Sequence, residues 1–120
     1  MKKLIRSFQY AFAGVSYVAK HERSFRVQVL ISIIVLVLAC LFQIALWQVF
    51  VLIFLISFVL VLEIINSIFE RIVDVLKPRI HPYAEAIKNM MAGTVLIASI
   101  TSAIIGFFIF IPYFLGYIGC

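Results

Sequence analysis

The spacing of apolar and polar residues divides the chain into four helical parts. Leu4, Phe8, Phe12, Val15 and Ala19 recur at helical intervals, with Lys3, Arg6, Gln9 and Tyr10 turned elsewhere. This predicts a helix over 1–20 lying in a membrane interface. A signal peptide is the competing reading, but Gln9 and Gly14 interrupt the apolar stretch and no A-x-A site follows. Beyond the charged segment from Lys20 to Arg26, no Asp, Glu, Lys or Arg occurs before Glu63, and none occurs after Lys88. Those runs predict membrane-spanning helices over 27–46, 48–76 and 84–112, since a crossing takes about 20 apolar residues. Gln43, Trp47 and Gln48 mark the far interface between the first two. Pro78 and Pro82 are expected to end the second helix. Pro112 and Gly116 loosen the end of the third, whose Ala92, Gly93, Ala98, Ser99, Ser102 and Ala103 predict close helix packing. The fold class that follows is all-α and integral to the membrane, in one domain over 1–120.

Composition sharpens this picture. Hydrophobic residues make up 66% of the chain and charged residues 12%, which excludes an ordinary soluble domain. The net charge of +5 raises nucleic acid as a partner. The basic residues instead fall into two groups, Lys2 to Arg26 and Arg71 to Lys88, each flanking an apolar span. That positive-inside pattern puts the N-terminus in the cytoplasm and, after three crossings, the C-terminus outside. No soluble basic face remains for nucleic acid. Cys40 sits in an apolar run and Cys120 is the last residue, so there is neither a metal-binding spacing nor a prenylation box.

The polar residues within the second span carry the chemistry. At about 100° per residue, Glu63, Asn66, Glu70 and Asp74 share one narrow helix face. A helix entering near Val49 has not crossed a core about 30 Å thick when it reaches Glu63, so that acid stands at the hydrocarbon boundary. Acids at this depth normally face a bundle interior, a cavity or a cation. Glu22, at the edge of the first span, is a candidate to join them. The chain holds no G-x-x-x-x-G-K and no G-x-G-x-x-G, so any phosphoryl chemistry must be built on helices. Glu22 and Glu70 can supply oxygen ligands to Mg²⁺, Lys88 can offset triphosphate charge, and Glu63 can act as a general base on a hydroxyl at headgroup level. The same residues serve equally well to hold a small helical oligomer together. A cation-coupled transporter built on Glu63 is a further reading, weakened by the second, cytoplasmic set of acids.

Glu63-Ile64-Ile65-Asn66-Ser67 with Glu70 and Asp74, preceded by Glu22-Arg23-Ser24-Phe25-Arg26 and followed by His81 and Lys88, resembles the prokaryotic diacylglycerol kinase and undecaprenol kinase family. Phe8, Tyr10 and Gly14 line up as well, so the resemblance covers nearly the whole chain. It implies a lipid kinase of the bacterial cytoplasmic membrane that transfers the γ-phosphate of MgATP to undecaprenol or diacylglycerol. It also implies a homotrimer with active sites shared between subunits. Glu63 would be the catalytic proton acceptor, and Glu22 and Glu70 would hold Mg²⁺ and through it the ATP phosphates. Asn66, Asp74, Lys88 and Asn89 would complete the polar site, with Tyr10 and His81 near the nucleotide and Lys3 beside the lipid entry. The chain departs from the pattern at Asn89, where the family has Asp, and at Ile68-Phe69, where the first residue is usually small. The first change removes a charge, and the second predicts altered packing near the site. Both departures motivate the alternative of a non-catalytic member with a regulatory or structural role.

Overall fold

The computed structural model describes residues 1–117, all helical apart from short junctions; Cys120 lies outside the described residues. Helix α1 runs over Lys2–His21, α2 over Arg23–Phe42 and α3 over Leu46–Tyr117. The break between α1 and α2 is Glu22 alone, extended at φ −116° and ψ 110°. Lys20 and His21 occupy the last turn of α1, where cations suit the exposed carbonyls. From the next helix, the Arg26 guanidinium donates to the carbonyls of Ala19 (2.8 Å) and Lys20 (3.0 Å), capping α1 across the junction. Only the last turn of α1 is drawn into the bundle. Val18 is buried and every residue before it is exposed.

Helix α2 ends in a left-handed turn at Gln43, φ 51° and ψ 50°. The Gln43 amide donates to Cys40 (3.3 Å) and that of Ile44 to Ala39 (3.3 Å), the paired reverse bonds of a Schellman motif. Glycine is the usual residue in this conformation, and here a glutamine bears the strain. The start of α3 is capped in turn. The Gln48 side chain accepts from the Ala45 amide (3.2 Å), reaching back as the third residue of a capping box does.

Helix α3 is 72 residues long and contains Pro78, Pro82 and Pro112. Straight, it would extend about 108 Å, yet the longest dimension of the whole molecule is 60 Å. It folds back on itself. Lys88 reaches Asp74, and Tyr113 reaches Ala45 and Gln48, contacts that only two antiparallel limbs allow. The chain therefore does not stop being helical at Pro78 and Pro82, as the sequence predicts, but turns there. Each proline lacks an amide donor and crowds the carbonyl four residues earlier, and two of them four apart strain nearly the same face. The result is reversal rather than termination.

Three stretches are long and apolar enough to cross a membrane: Arg23–Phe42 and the two limbs of α3, Leu46–Arg79 and His81–Gly116. Large apolar side chains such as Leu41, Phe54 and Ile97 are exposed on their outer faces, as lipid-facing surface requires. The protein is a multi-pass membrane protein. Ala39, Ile44, Leu52 and Ile109 form a buried cluster at one end, with Phe42 and Phe110 packed against it. At the other end Phe25, Val73 and Ala84 are buried. Between α2 and the limbs lies a cavity of about 840 Å³. Of the small residues expected to allow close packing, Ala98 is buried, and Ser99, Ser102 and Ala103 line that cavity.

Candidate functional site

Glu63 stands about 26 Å along the first limb from Leu46, at the end away from the Tyr113 contacts. It is 4% exposed, with Asn66 at 9% and Ser67 at 2%. These are the buried polar side chains among the described residues. One turn of helix places them together, and the Ser67 hydroxyl spends its hydrogen on the Glu63 carbonyl (3.1 Å), leaving the carboxylate free. Helix α2 passes alongside and presents Gln28, whose Nε2 donates to Glu63 Oε2 at 3.4 Å. Two acceptors remain without partners in this buried region, Gln28 Oε1 and Asn66 Oδ1. Buried polar atoms are nearly always paired, so each of these oxygens has capacity for a further partner.

One turn beyond, Arg71 gathers three elements. Its Nη1 meets Glu22 Oε1 at 2.8 Å, its Nε donates to the Tyr17 hydroxyl at 3.3 Å, and its guanidinium carbon lies 5.0 Å from the centre of the Tyr17 ring. Tyr17 in turn stacks on His21, ring centres 4.0 Å apart. Glu22 is thereby drawn from the α1–α2 junction to the limb that bears Glu63 and Glu70. Further along, Asp74 pairs with Lys88 at 2.6 Å, linking the two limbs on either side of the reversal. Glu70 is half-buried, and no hydrogen bond or ion pair holds it among the described residues.

Glu22 and Glu70 are the two acids whose charge acts on Glu63. The concentration of carboxylates asks for a cation, and the donors are hard oxygens, the type Mg²⁺ prefers. No group of three or more His, Cys, Asp or Glu side chains is assembled among the described residues. Glu22 and Glu70 are two such carboxylates, and Mg²⁺ commonly takes one or two and completes its shell with phosphate and water. Glu22 has Arg71 as its present counter-ion.

The remaining expected residues are not brought into contact with this set. Lys3 and Tyr10 are exposed on α1, and His81 and Asn89 are exposed on the second limb. Their side chains make no hydrogen bond or ion pair to the cluster among the described residues. Ile68 and Phe69 are 49% and 41% exposed. Their bulk points away from the carboxylates, so the packing change expected there does not reach the site within this chain.

Gln28, Tyr17 and Arg71 are absent from the sequence-based site. Gln28 does leave a signal, an amide near the start of an uncharged run, six residues after Glu22. Arg71 reads as one more cytoplasmic anchor until the fold sets it beside Glu22.

The family model described as prokaryotic diacylglycerol kinase matches residues 9–110. The chain is similar to the undecaprenol kinase of Bacillus subtilis (strain 168), with 30% identity over 112 residues covering 93% of this chain and 91% of the relative. It is also similar to the diacylglycerol kinase of Synechocystis sp. (strain ATCC 27184 / PCC 6803 / Kazusa), 34% identical over 110 residues. That match covers 91% of this chain and 63% of the relative. No solved structure matches the chain.

Proposed function

The chain belongs to the prokaryotic diacylglycerol kinase family, and on that premise we propose that it transfers the γ-phosphate of ATP to a membrane lipid alcohol, undecaprenol or diacylglycerol. Undecaprenol is the acceptor we favour, since the relative matched over nearly its full length carries that name. The observation that carries the reading is Glu63, a carboxylate buried within the bundle beside two unpaired amide oxygens. Nothing in the packing needs an acid there, and a lipid hydroxyl at headgroup level does.

In the proposed step the hydroxyl gives its proton to Glu63 as its oxygen attacks the γ-phosphorus. The bond from that phosphorus to the β,γ-bridging oxygen breaks, and its electron pair leaves with ADP. Glu63 supplies general-base catalysis, typically worth about 10²- to 10⁴-fold. Glu22 and Glu70 would hold Mg²⁺, which when bound neutralises charge on the phosphates. Lys88, at the mouth of the two limbs, would turn from Asp74 to the triphosphate. Lys3, Tyr10 and His81, exposed on this chain, would complete the site in a homotrimer whose active sites are shared between subunits. The α1 helix would lie in the interface with the N-terminus cytoplasmic.

Purified protein given labelled ATP, Mg²⁺ and each lipid in turn should phosphorylate at least one, and chelating the metal should stop the transfer. Glu63→Gln should reduce turnover to background while the protein stays folded. A non-catalytic, regulatory or structural role is the second reading, favoured by the Glu22–Arg71 pair and by Asn89. Folded protein that turns over neither lipid would establish it.

A further inference from the structure

Three oxygens hold Arg71 among the described residues. Its Nη1 donates to Glu22 Oε1 at 2.8 Å and to the Ser67 carbonyl at 3.4 Å, and its Nε donates to the Tyr17 hydroxyl at 3.3 Å. Glu22 is the one carboxylate in this set. The remaining nitrogen, Nη2, carries two N–H donors and is bonded to nothing among the described residues. The guanidinium also lies over the Tyr17 ring, its carbon 5.0 Å from the centre, and Tyr17 is itself stacked on His21 at 4.0 Å. As a strut between α1 and α3 this arrangement is weak, since a pair with side chains 40% and 19% exposed adds little stability. It also sets a cation on a carboxylate proposed to take Mg²⁺, one residue after Glu70, the other acid of that pair. A cation in that place obstructs the metal unless it is itself used when the metal arrives.

Charge supplies that use. A triphosphate carries more negative charge than one Mg²⁺ neutralises, and Asp74 adds to it. Arg71, Lys77 and Lys88 are the cations whose charge acts on Asp74, so Arg71 belongs to the same electrostatic field as Lys88. A guanidinium binds phosphate through parallel hydrogen bonds, and the Tyr17 ring still supports it when Glu22 leaves. We propose that Arg71 binds the phosphates of the nucleotide by exchanging partners. Without nucleotide it holds Glu22. When MgATP binds, Arg71 releases Glu22 to the metal and, still resting on Tyr17, turns Nη1 and Nη2 to phosphate oxygens. Loss of Arg71 then has opposite effects on two ligands, tightening bare metal and weakening the metal–nucleotide complex. This inference rests on the reading of Glu22 as a metal ligand.

The test is equilibrium binding to the purified chain in detergent micelles, with two probes: Mn²⁺ alone, and Mg²⁺ with a non-hydrolysable ATP analogue. Wild type is compared with Arg71→Ala, Arg71→Lys and Glu22→Gln. For Arg71→Ala we expect the Mn²⁺ Kd to fall about threefold and the analogue Kd to rise about tenfold, as loss of a charge-assisted hydrogen bond produces. Arg71→Lys keeps the charge but loses the fork and the planar stack, so its analogue Kd should rise about threefold. In Arg71→Ala, both Kd values rising would make Arg71 a strut, and both falling would make it a competitor only. Either result overturns the proposal. If Arg71→Ala does not fold, Arg71→Lys decides, since wild-type affinity for the analogue in that variant also overturns it. Wild type that binds no analogue would remove the proposed function and this inference together. Glu22→Gln with unchanged Mn²⁺ binding would remove the metal reading of Glu22 and this inference with it. Glu22→Gln that loses Mn²⁺, beside Arg71→Ala with wild-type affinity for the analogue, would remove this inference alone.

Discussion

The two ends of the helical bundle solve the same problem in opposite ways. Each gathers polar groups where α2 meets the limbs of α3. At the Tyr113 end the Tyr113 hydroxyl donates to Gln48 Oε1 at 2.6 Å, and the Ala45 amide donates to both Gln48 Oε1 and the Tyr113 oxygen at 3.2 Å. No atom there is charged, and the apolar cluster of Ala39, Ile44, Leu52 and Ile109 packs beneath it. At the Glu63 end the groups are acids and amides, two acceptors have no donor, and a carboxylate is buried at 4% exposure. A closed network stabilises the junction where it stands. An open one costs stability and is kept because something else completes it. The contrast separates a cluster that serves as architecture from the one proposed to carry the chemistry.

The sharpest way to break this comparison is a matched pair of substitutions. Glu63→Gln should lower lipid phosphorylation by about 10²-fold or more and leave thermal unfolding unchanged or slightly raised. Tyr113→Phe should do the reverse, keeping turnover within about twofold while lowering stability by about 1 kcal/mol for a lost partly buried hydrogen bond. Equal loss of activity in both would mean that the two clusters do not differ as argued.

Smaller effects sharpen the account of the open end. Lys88→Ala should raise the KM for ATP about tenfold, one cation's share of a triphosphate site. Its melting temperature should hardly move, because the pair with Asp74 is exposed at 38% and 60% and such pairs add little. Arg71→Ala frees Glu22 from its guanidinium. Titration with Mn²⁺ as a spectroscopic stand-in should then show tighter metal binding, by about threefold, an effect of the scale expected for a partly exposed ion pair. Weaker metal binding would make Arg71 a support for Glu22 rather than a competitor.

The smallest expected effect lies at the closed end. Gln43→Gly relieves a left-handed backbone, φ 51°, and should raise stability by about 0.5–1 kcal/mol once the added freedom of the unfolded chain is counted. Activity should be unaffected.

Hydropathy and charge alone make three crossings legible, because a span must be long, apolar and free of charge whatever surrounds it. The face bearing Glu63, Asn66, Glu70 and Asp74 is legible for a similar reason, since helical spacing is a local property. The single-residue break at Glu22 and the reversal at Pro78 and Pro82 are not. Proline signals a fault in a helix, but whether the chain then stops or bends depends on the packing that the returning limb finds, here Ile109 in the cluster with Ala39, Ile44 and Leu52. The small residues are divided, Ala98 buried while Ser99, Ser102 and Ala103 border a cavity, because small side chains permit close packing without compelling it.

By itself, then, the sequence determined that this is a helical membrane protein of the prokaryotic diacylglycerol kinase family with acids aligned at the hydrocarbon boundary. The spans and the aligned acids are consequences of composition, period and the cost of charge in lipid, while the family rests on the motifs and on the matches to known members. Only the tertiary structure decided which groups meet those acids. Gln28 comes from 35 residues away to Glu63, and Arg71 from 49 residues away to Glu22. Such pairings depend on how α2 docks against α3, and no local pattern encodes that.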